Sequence, residues 1–270
     1  MTAATPTADV SRTAPVLLAV AALVALAGCG GVLPGGDATP SRDADLEPAE
    51  SPYDTPLEDS DLLADHEAAL RDAETVTVVR NTTITGTGPG AGFESLATAR
   101  VSLADGRVYL VERPAPVTQT YRYANDTVFS RSAGGTSYSR AENDTAGRTA
   151  VEWTRAPLER LLPLASFTHR GVTERDGERV HVYRATDPAA VNTSTVTPGD
   201  LTGVELTDVN VTLRVRESGA VGRLRFAYTV EEGDQRREVA TSVTFSDLGE
   251  TDASPPAWVA DLRDRFADDE

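Results

Sequence analysis

Few side chains in this sequence could do chemistry, and their spacing limits what that chemistry is. Cys29 is the only cysteine among 270 residues, so no disulfide can form within the chain. A bare thiol outside a cell would be a reactive liability unless it is modified. The three histidines, His66, His169 and His181, are scattered, and none stands at metal-ligand spacing from a second ligand. His66 shares a helical face with leucines and reads as a core or interfacial histidine. There is no G-x-S-x-G elbow, no glycine-rich phosphate loop and no H-E-x-x-H pair. Asp and Glu number 42, so any given acid pair says almost nothing about catalysis. The expectation is a protein that is not an enzyme and needs neither metal nor cofactor.

Two other sets of residues stand out. The five asparagines, Asn81, Asn125, Asn143, Asn192 and Asn210, each begin an N-x-[ST] triplet, the acceptor signal for N-glycosylation outside the cell. Arg214, Arg216, Arg223 and Arg225 alternate along two neighbouring stretches. They would line one sheet face, with Arg214 directly opposite Arg223. Like charges so placed are destabilising, which leaves two readings: contact with an anionic partner such as lipid head groups, or acidic neighbours supplied by a helix or loop.

The placement of Cys29 gives the thiol a use. Ala14 to Ala27 (APVLLAVAALVALA) is apolar and uncharged, yet shorter than the roughly 20 residues a bilayer span needs. It reads as the core of a signal peptide covering residues 1–28. Leu26, Ala27, Gly28 and Cys29 then form a lipobox, in which small residues admit a peptidase to the bond before a cysteine that receives lipid. Arg12 is the only basic residue before the apolar run, Asp9 opposes it and no Arg-Arg pair is present, so the export route stays open. Membrane attachment through Cys29, on the outer face of the cytoplasmic membrane, is the expectation.

Charge carries the same message. The net charge is -17, and loss of residues 1–28 leaves it unchanged because Asp9 and Arg12 cancel. All 25 basic residues are Arg and none is Lys, an acid-rich, lysine-free balance that resembles haloarchaeal proteins. Dense carboxylates hold water and cations, and molar salt screens their repulsion to about 3 Å. Nucleic acid is excluded as an expected partner.

These residues must be positioned by a small number of elements. Residues 29–58 combine glycines, Pro34, Pro40, Pro48, Pro52 and Pro56 with many acids, a composition expected to form a disordered acidic tether. Residues 59–268 are expected to fold as one domain. Ser60 and Asp61 can cap a helix with Leu62, Leu63, His66, Leu70 and Ala73 on one face. Thr75 to Thr85 is dense in β-branched residues and reads as the first strand. A turn at Ser218-Gly219 pairs Leu213 with Leu224, Val211 with Phe226 and Val209 with Tyr228. A second, at Gly233-Asp234, pairs Tyr228 with Val239 and Leu224 with Val243. One face of this meander is apolar and the other wet. An Asp105-Gly106 turn would pair Leu103 with Val108 and Val101 with Leu110, and Asp176-Gly177 joins a strand near Val172 to Val180, Val182 and Tyr183. Tyr121 and Tyr123 share a face. Further helices are expected at Pro157–Leu162 and from Pro256, the latter with Trp258, Leu262 and Phe266 on one stripe. Residues 187–208 read as a long loop. The class is α+β: a curved antiparallel sheet, a half-barrel, packed over amphipathic helices that all lie on its dry side.

This layout, with stretches such as ALRDAETVTVVRNTTITG, ERDGERVHVYRATD and VTLRVRESGAVGRLRFAYTV and the closing PPAWV, resembles a haloarchaeal lipoprotein family of unassigned function. It is also similar to the half-barrel lipoproteins LolA, LolB, LppX and LprG. The resemblance covers residues 58 to 268 and implies a gap between sheet and helices that holds lipid acyl chains, with no ligand motif to carry onto particular residues. Two functions remain open. One is binding or carrying a hydrophobic ligand between sheet and helices; the other is a non-catalytic envelope or interaction protein with a filled core and a glycosylated exterior.

Overall fold

The computed structural model describes residues 46–87, 91–113, 116–125, 127–140, 149–191 and 205–267. Eleven strands form one open antiparallel sheet, accompanied by a few helices. In chain order they are β1 (Thr75–Gly86), β2 (Phe93–Ser102), β3 (Arg107–Arg113), β4 (Thr118–Arg122), β5 (Thr127–Ser132), β6 (Gly135–Arg140), β7 (Thr168–Arg175), β8 (Glu178–Ala185), β9 (Glu205–Arg216), β10 (Val221–Glu232) and β11 (Gln235–Ser246). The spatial order is β6-β5-β4-β3-β2-β1-β11-β10-β9-β8-β7. Two meanders therefore grow outward from the pairing of β1 with β11, leaving β6 and β7 at the edges.

The meander registers follow their turns. Leu213 faces Leu224, Val211 faces Phe226 and Val209 faces Tyr228, while Tyr228 faces Val239 and Leu224 faces Val243, as expected. At Asp176-Gly177 both residues have positive φ, 55° and 79°, the condition for a tight two-residue turn that matches strand twist. The register between β2 and β3 differs from the expectation: Val101 faces Val108 and Ala99 faces Leu110. The turn there takes in Leu103 through Gly106, because the Leu103 N–H donates to the Glu74 carbonyl at 2.7 Å and so leaves the hairpin. The shift is two residues, so every side chain keeps its face.

Four helices flank the sheet: α1 (Leu62–Ala73), α2 (Ala150–Thr154), α3 (Ala156–Leu161) and α4 (Ala257–Ala267). Asp61 stands at the N-cap of α1 without a side-chain capping bond, and it is Ser60 Oγ that accepts from the Leu62 N–H, at 3.3 Å. A capping box opens α2, with Thr149 Oγ1 accepting from the Glu152 N–H and Glu152 accepting from the Thr149 N–H. The first three helices bury Leu62, Leu70, Trp153, Leu158 and the adjoining Leu162 against Val76, Val78, Val243, Phe245, Leu224 and Leu213 of the sheet. Helix α4 does not join them. Its Val259 and Leu262 pack on Tyr121 and Phe129, with Tyr109, Tyr123 and Trp258 around them. Strand alternation puts those tyrosines on the opposite, outer face: Ala99 on the helix-bearing face meets Leu110, whereas Tyr109 meets Tyr121. The expectation that every helix lies on one dry face is thus corrected, because this sheet carries a second apolar patch on its outer side.

Residues 46–58, which composition assigned to the tether, belong to the fold. Glu47 pairs with Val172 at the edge of β7, N–H to carbonyl in both directions at 2.8 and 2.9 Å. The approach is possible because Gly171, at φ +123°, lacks a Cβ that would otherwise sit 2.3 Å from the Glu47 carbonyl oxygen. Ser51 Oγ and Tyr183 OH lie 3.0 Å apart, Tyr53 OH donates to Asp65 at 3.1 Å, and Leu57 is buried. An otherwise open sheet edge is covered in this way. The two described ends of the 187–208 stretch carry structure: Pro188–Ala190 form a 3-10 turn, Val191 bridges Ala165, and β9 has begun by Glu205.

Candidate functional site

The site residues expected from sequence fall in several places. Leu26, Ala27, Gly28 and Cys29, with the signal peptide, Asn143 and Asn192, lie outside the described residues. Asn125 is exposed in the β4–β5 turn, and its Oδ1 accepts from the Thr127 N–H at 3.3 Å. Asn210 is half-buried on β9 and accepts from Thr212 Oγ1 at 3.1 Å. Asn81 sits between β2 and β11 in mid-sheet, and its Oδ1 is buried without a partner.

The arginines do share the outer face, and Arg214 faces Arg223. Burial first, and then Arg175, Arg223 and Arg184, hold the Arg214 guanidinium below its usual range. Arg175 and Arg184 thus enlarge the group beyond the four seen in sequence. Arg216 has an acidic neighbour, Glu178 at 3.5 Å, and also donates to the Phe245 carbonyl at 3.4 Å.

His66 is fully buried and satisfied on both nitrogens. The Val221 N–H donates to Nδ1 at 3.0 Å, so the proton is on Nε2, which donates to the Thr154 carbonyl at 3.3 Å. Burial lowers its pKa to about 4. The ring meets Phe245 edge-on at 4.7 Å, a packing role. His169 and His181 are not scattered: Nε2 of one lies 3.2 Å from Nδ1 of the other. Burial and their closeness lower the pKa of His169, and burial with Arg179 lowers that of His181. A bulge between His169 and Gly171 brings them together, since it moves His169 opposite Tyr183 and onto the face of His181. Without that extra residue the two rings would point to opposite faces. Among the described residues no group of three or more His, Cys, Asp or Glu could hold a metal.

What the fold does assemble is an apolar row. Cross-strand partners place Phe93 beside Ile84, Ile84 beside Val239, Val239 beside Tyr228 and Tyr228 beside Val209. At about 4.8 Å per strand the row runs about 19 Å across five strands. It lies on the helix-bearing face, one pleat beyond Thr82, Thr241, Phe226 and Val211 and away from the helix-packed end. Exposure falls along it, from Phe93 at 48% to Val209 at 5%, with Ile84, Val239 and Tyr228 half-buried. Tyr228 meets Phe226 edge-on at 5.3 Å, and burial raises its pKa. Its hydroxyl is the polar atom of an otherwise greasy shelf. At the other end of this face Arg80 lies 5.7 Å over the Trp153 ring, and the leucines of α1 and α3 fill the space. Sequence had paired Val209 with Tyr228 and Tyr228 with Val239, but had placed neither Ile84 nor Phe93 beside them. No helix among the described residues is long and apolar enough to cross a membrane.

A family of unknown function, DUF7537, matches residues 15–262. No curated protein matches the chain. Among solved structures, the chain is similar to LprF from Mycobacterium bovis at 14% identity and a TM-score of 0.40, covering 72% of this chain and 94% of that one. It is similar to the lipoprotein LppX from Mycobacterium tuberculosis at 16% and 0.37, covering 71% and 96%. A LolA-superfamily protein from Nitrosomonas europaea gives 12% and 0.24, covering 72% and 96%.

Proposed function

The chain belongs to DUF7537, a family of unknown function, and we propose that this protein is an extracytoplasmic, Cys29-anchored binding protein for a long apolar ligand. The observation that carries the reading is the row Phe93, Ile84, Val239, Tyr228 and Val209, apolar across five strands, with Phe93 exposed, Ile84, Val239 and Tyr228 half-buried and Val209 buried. Apolar surface of that continuity is retained on a folded domain when something else covers it.

Magnitudes select the ligand class. A methylene removed from water contributes about 0.8 kcal/mol, and immobilising a ligand costs roughly 4–15 kcal/mol. Break-even therefore falls between about 5 and about 19 carbons, so long chains gain over most of that range of costs and short ones do not. The guest is a long acyl or isoprenoid chain laid along the row, with the Tyr228 hydroxyl available to a polar end. Lipid on Cys29 would keep the shelf within reach of the membrane that supplies such chains, and the acidic segment after Cys29 would set the distance. The test is titration of the purified protein with a fluorescent long-chain fatty acid, in parallel with Ile84→Asp and Phe93→Ser variants. Saturable binding to the parent chain, weakened about tenfold or more in both variants with melting temperatures retained, is the expected result. Equal binding by all three chains would remove the row from the account and leave an interaction protein with a filled core.

A further inference from the structure

The outer face carries a second concavity, on the side of the sheet opposite the apolar row. Between the side chains of β2, β3 and β4 lies a groove of about 360 Å³, within the roughly 300–1,000 Å³ of small-molecule sites. Its lining is Leu96, Thr98, Arg100, Tyr109, Val111, Arg113 and Gln119, with Thr98 and Val111 paired midway between the Arg100–Tyr109 and Leu96–Arg113 pairs and Gln119 opposite Val111. Strand pairing fixes the two cations at opposite ends. Arg100 is opposite Tyr109, and Arg113 is opposite Leu96, four residues further along each strand, or about 13 Å at the usual rise.

Each polar border has a defined state. The Arg100 guanidinium carbon lies 5.9 Å over the Tyr109 ring, which orients it without neutralising it. Neither Arg100 nor Arg113 has an ion-pair partner among the described residues, and both are exposed. One carboxylate feels Arg100: Asp252 is held below its usual range, chiefly by hydrogen bonds from Ser254 and to a lesser degree by Arg100. Gln119 accepts through Oε1 from Arg131 at 2.9 Å and from Tyr109 OH at 3.4 Å. Because an arginine can only donate, the amide oxygen must face Arg131, and the Gln119 NH₂ is left as a donor. Arg131 is in turn held 5.3 Å over the Trp258 ring of α4. Helix α4 thus buttresses one wall of the groove, giving this helix a role on the outer face.

A largely polar groove with a cation at either end, the side chains of Leu96 and Val111 between them and an amide donor beside Val111 recognises a particular chemistry. Two exposed guanidiniums flanking Leu96 and Val111, of which Arg113 has no ion-pair partner among the described residues, are complementary to a negative ligand. We propose that this groove binds a small organic anion with an apolar body, of the aromatic or short-chain carboxylate class. Its carboxylate pairs with Arg113, at the end of the groove away from Asp252, and its body covers Leu96 and Val111. This site is independent of the row on the opposite face.

The experiment uses the full chain and naphthalene-2-carboxylate as probe, with naphthalene-2-carboxamide as its neutral counterpart, by calorimetry or ligand-detected NMR. Expected are one saturable site for the carboxylate, at least tenfold weaker binding of the carboxamide, and about tenfold weaker carboxylate binding by Arg113→Gln with a smaller loss in Arg100→Gln, since charge-assisted hydrogen bonds are the strong ones. Ile84→Ser, on the other face, should bind as the parent does. Both arginines are exposed, so their Gln variants should melt as the parent does, which separates lost recognition from lost fold. Equal affinity for the two probes, undiminished binding by the Gln variants, or no carboxylate binding at all would overturn the proposal. Loss in Ile84→Ser alone would assign the probe to the opposite face and equally overturn it.

Discussion

Replacing His66 with Leu should make the stability of this domain less dependent on pH, and the size of the change can be worked from the structure. The imidazole is neutral when folded, with its pKa lowered by burial from 6.5 to about 4. Between those values the unfolded chain binds the proton and the folded chain does not, so the unfolded state is favoured as pH falls. Stability contributed by the neutral ring is fully present above pH 6.5, is lost as pH drops towards 4, and levels off below. Integrating the linkage from pH 7.5 to 4.5 gives a loss of about 2.5 kcal/mol from this one group. At pH 7.5 the Leu variant loses two hydrogen bonds and strands the buried Val221 N–H, a cost of about 1–3 kcal/mol. Its disadvantage should therefore shrink on acidification and vanish or reverse near pH 4.5. Urea unfolding of both chains at pH 7.5, 6.0 and 4.5 reads this directly, because the many carboxylates titrate alike in both and cancel in the difference. A difference that stays constant over that range would refute the assignment of a neutral, buried His66.

Other consequences follow from single contacts. Gly171→Ala forces a Cβ to within 2.3 Å of the Glu47 carbonyl oxygen, so residues 46–50 should leave the β7 edge, seen as new protease cleavage there. Thr149→Ala removes the α2 cap and should lower stability by about 1 kcal/mol in urea unfolding. Tyr121→Phe deletes the hydroxyl that donates to the Ala253 carbonyl at 3.1 Å, and faster amide exchange confined to α4 should result. For the proposed anchor, Cys29→Ser should move the protein from the membrane fraction to the medium or soluble fraction, and retention in the membrane would remove the anchor.

Much of the sheet was legible because its turns are short and chemically explicit. Ser218-Gly219 and Gly233-Asp234 give the pairing of Leu213, Leu224 and Val243, although irregularities between Val221 and Arg223 and between Tyr228 and Val230 interrupt the period-two alternation there. Where a turn is lengthened by a tertiary contact, as at Leu103 with its hydrogen bond to Glu74, register slipped while facing survived. The T-x-x-E of Thr149 and Glu152 was a readable cap that short helix length concealed. Two features had no one-dimensional signal. The bulge that unites His169 with His181 depends on Gly171 receiving Glu47, and the stripe on α4 names an apolar partner without saying which face of the sheet supplies it. The apolar row belongs with these, since sequence paired only its Val209, Tyr228 and Val239, and the strands that add Ile84 and Phe93 meet through the long-range pairing of β1 with β11.

The most direct test of the ligand-binding account is native mass spectrometry of the intact protein purified from its own membranes, with collisional release of whatever is held non-covalently. A released species of long-chain lipid mass, retained by the parent and lost from Ile84→Asp, is the result this account requires. Bare protein in both spectra, with the row still folded, would contradict it.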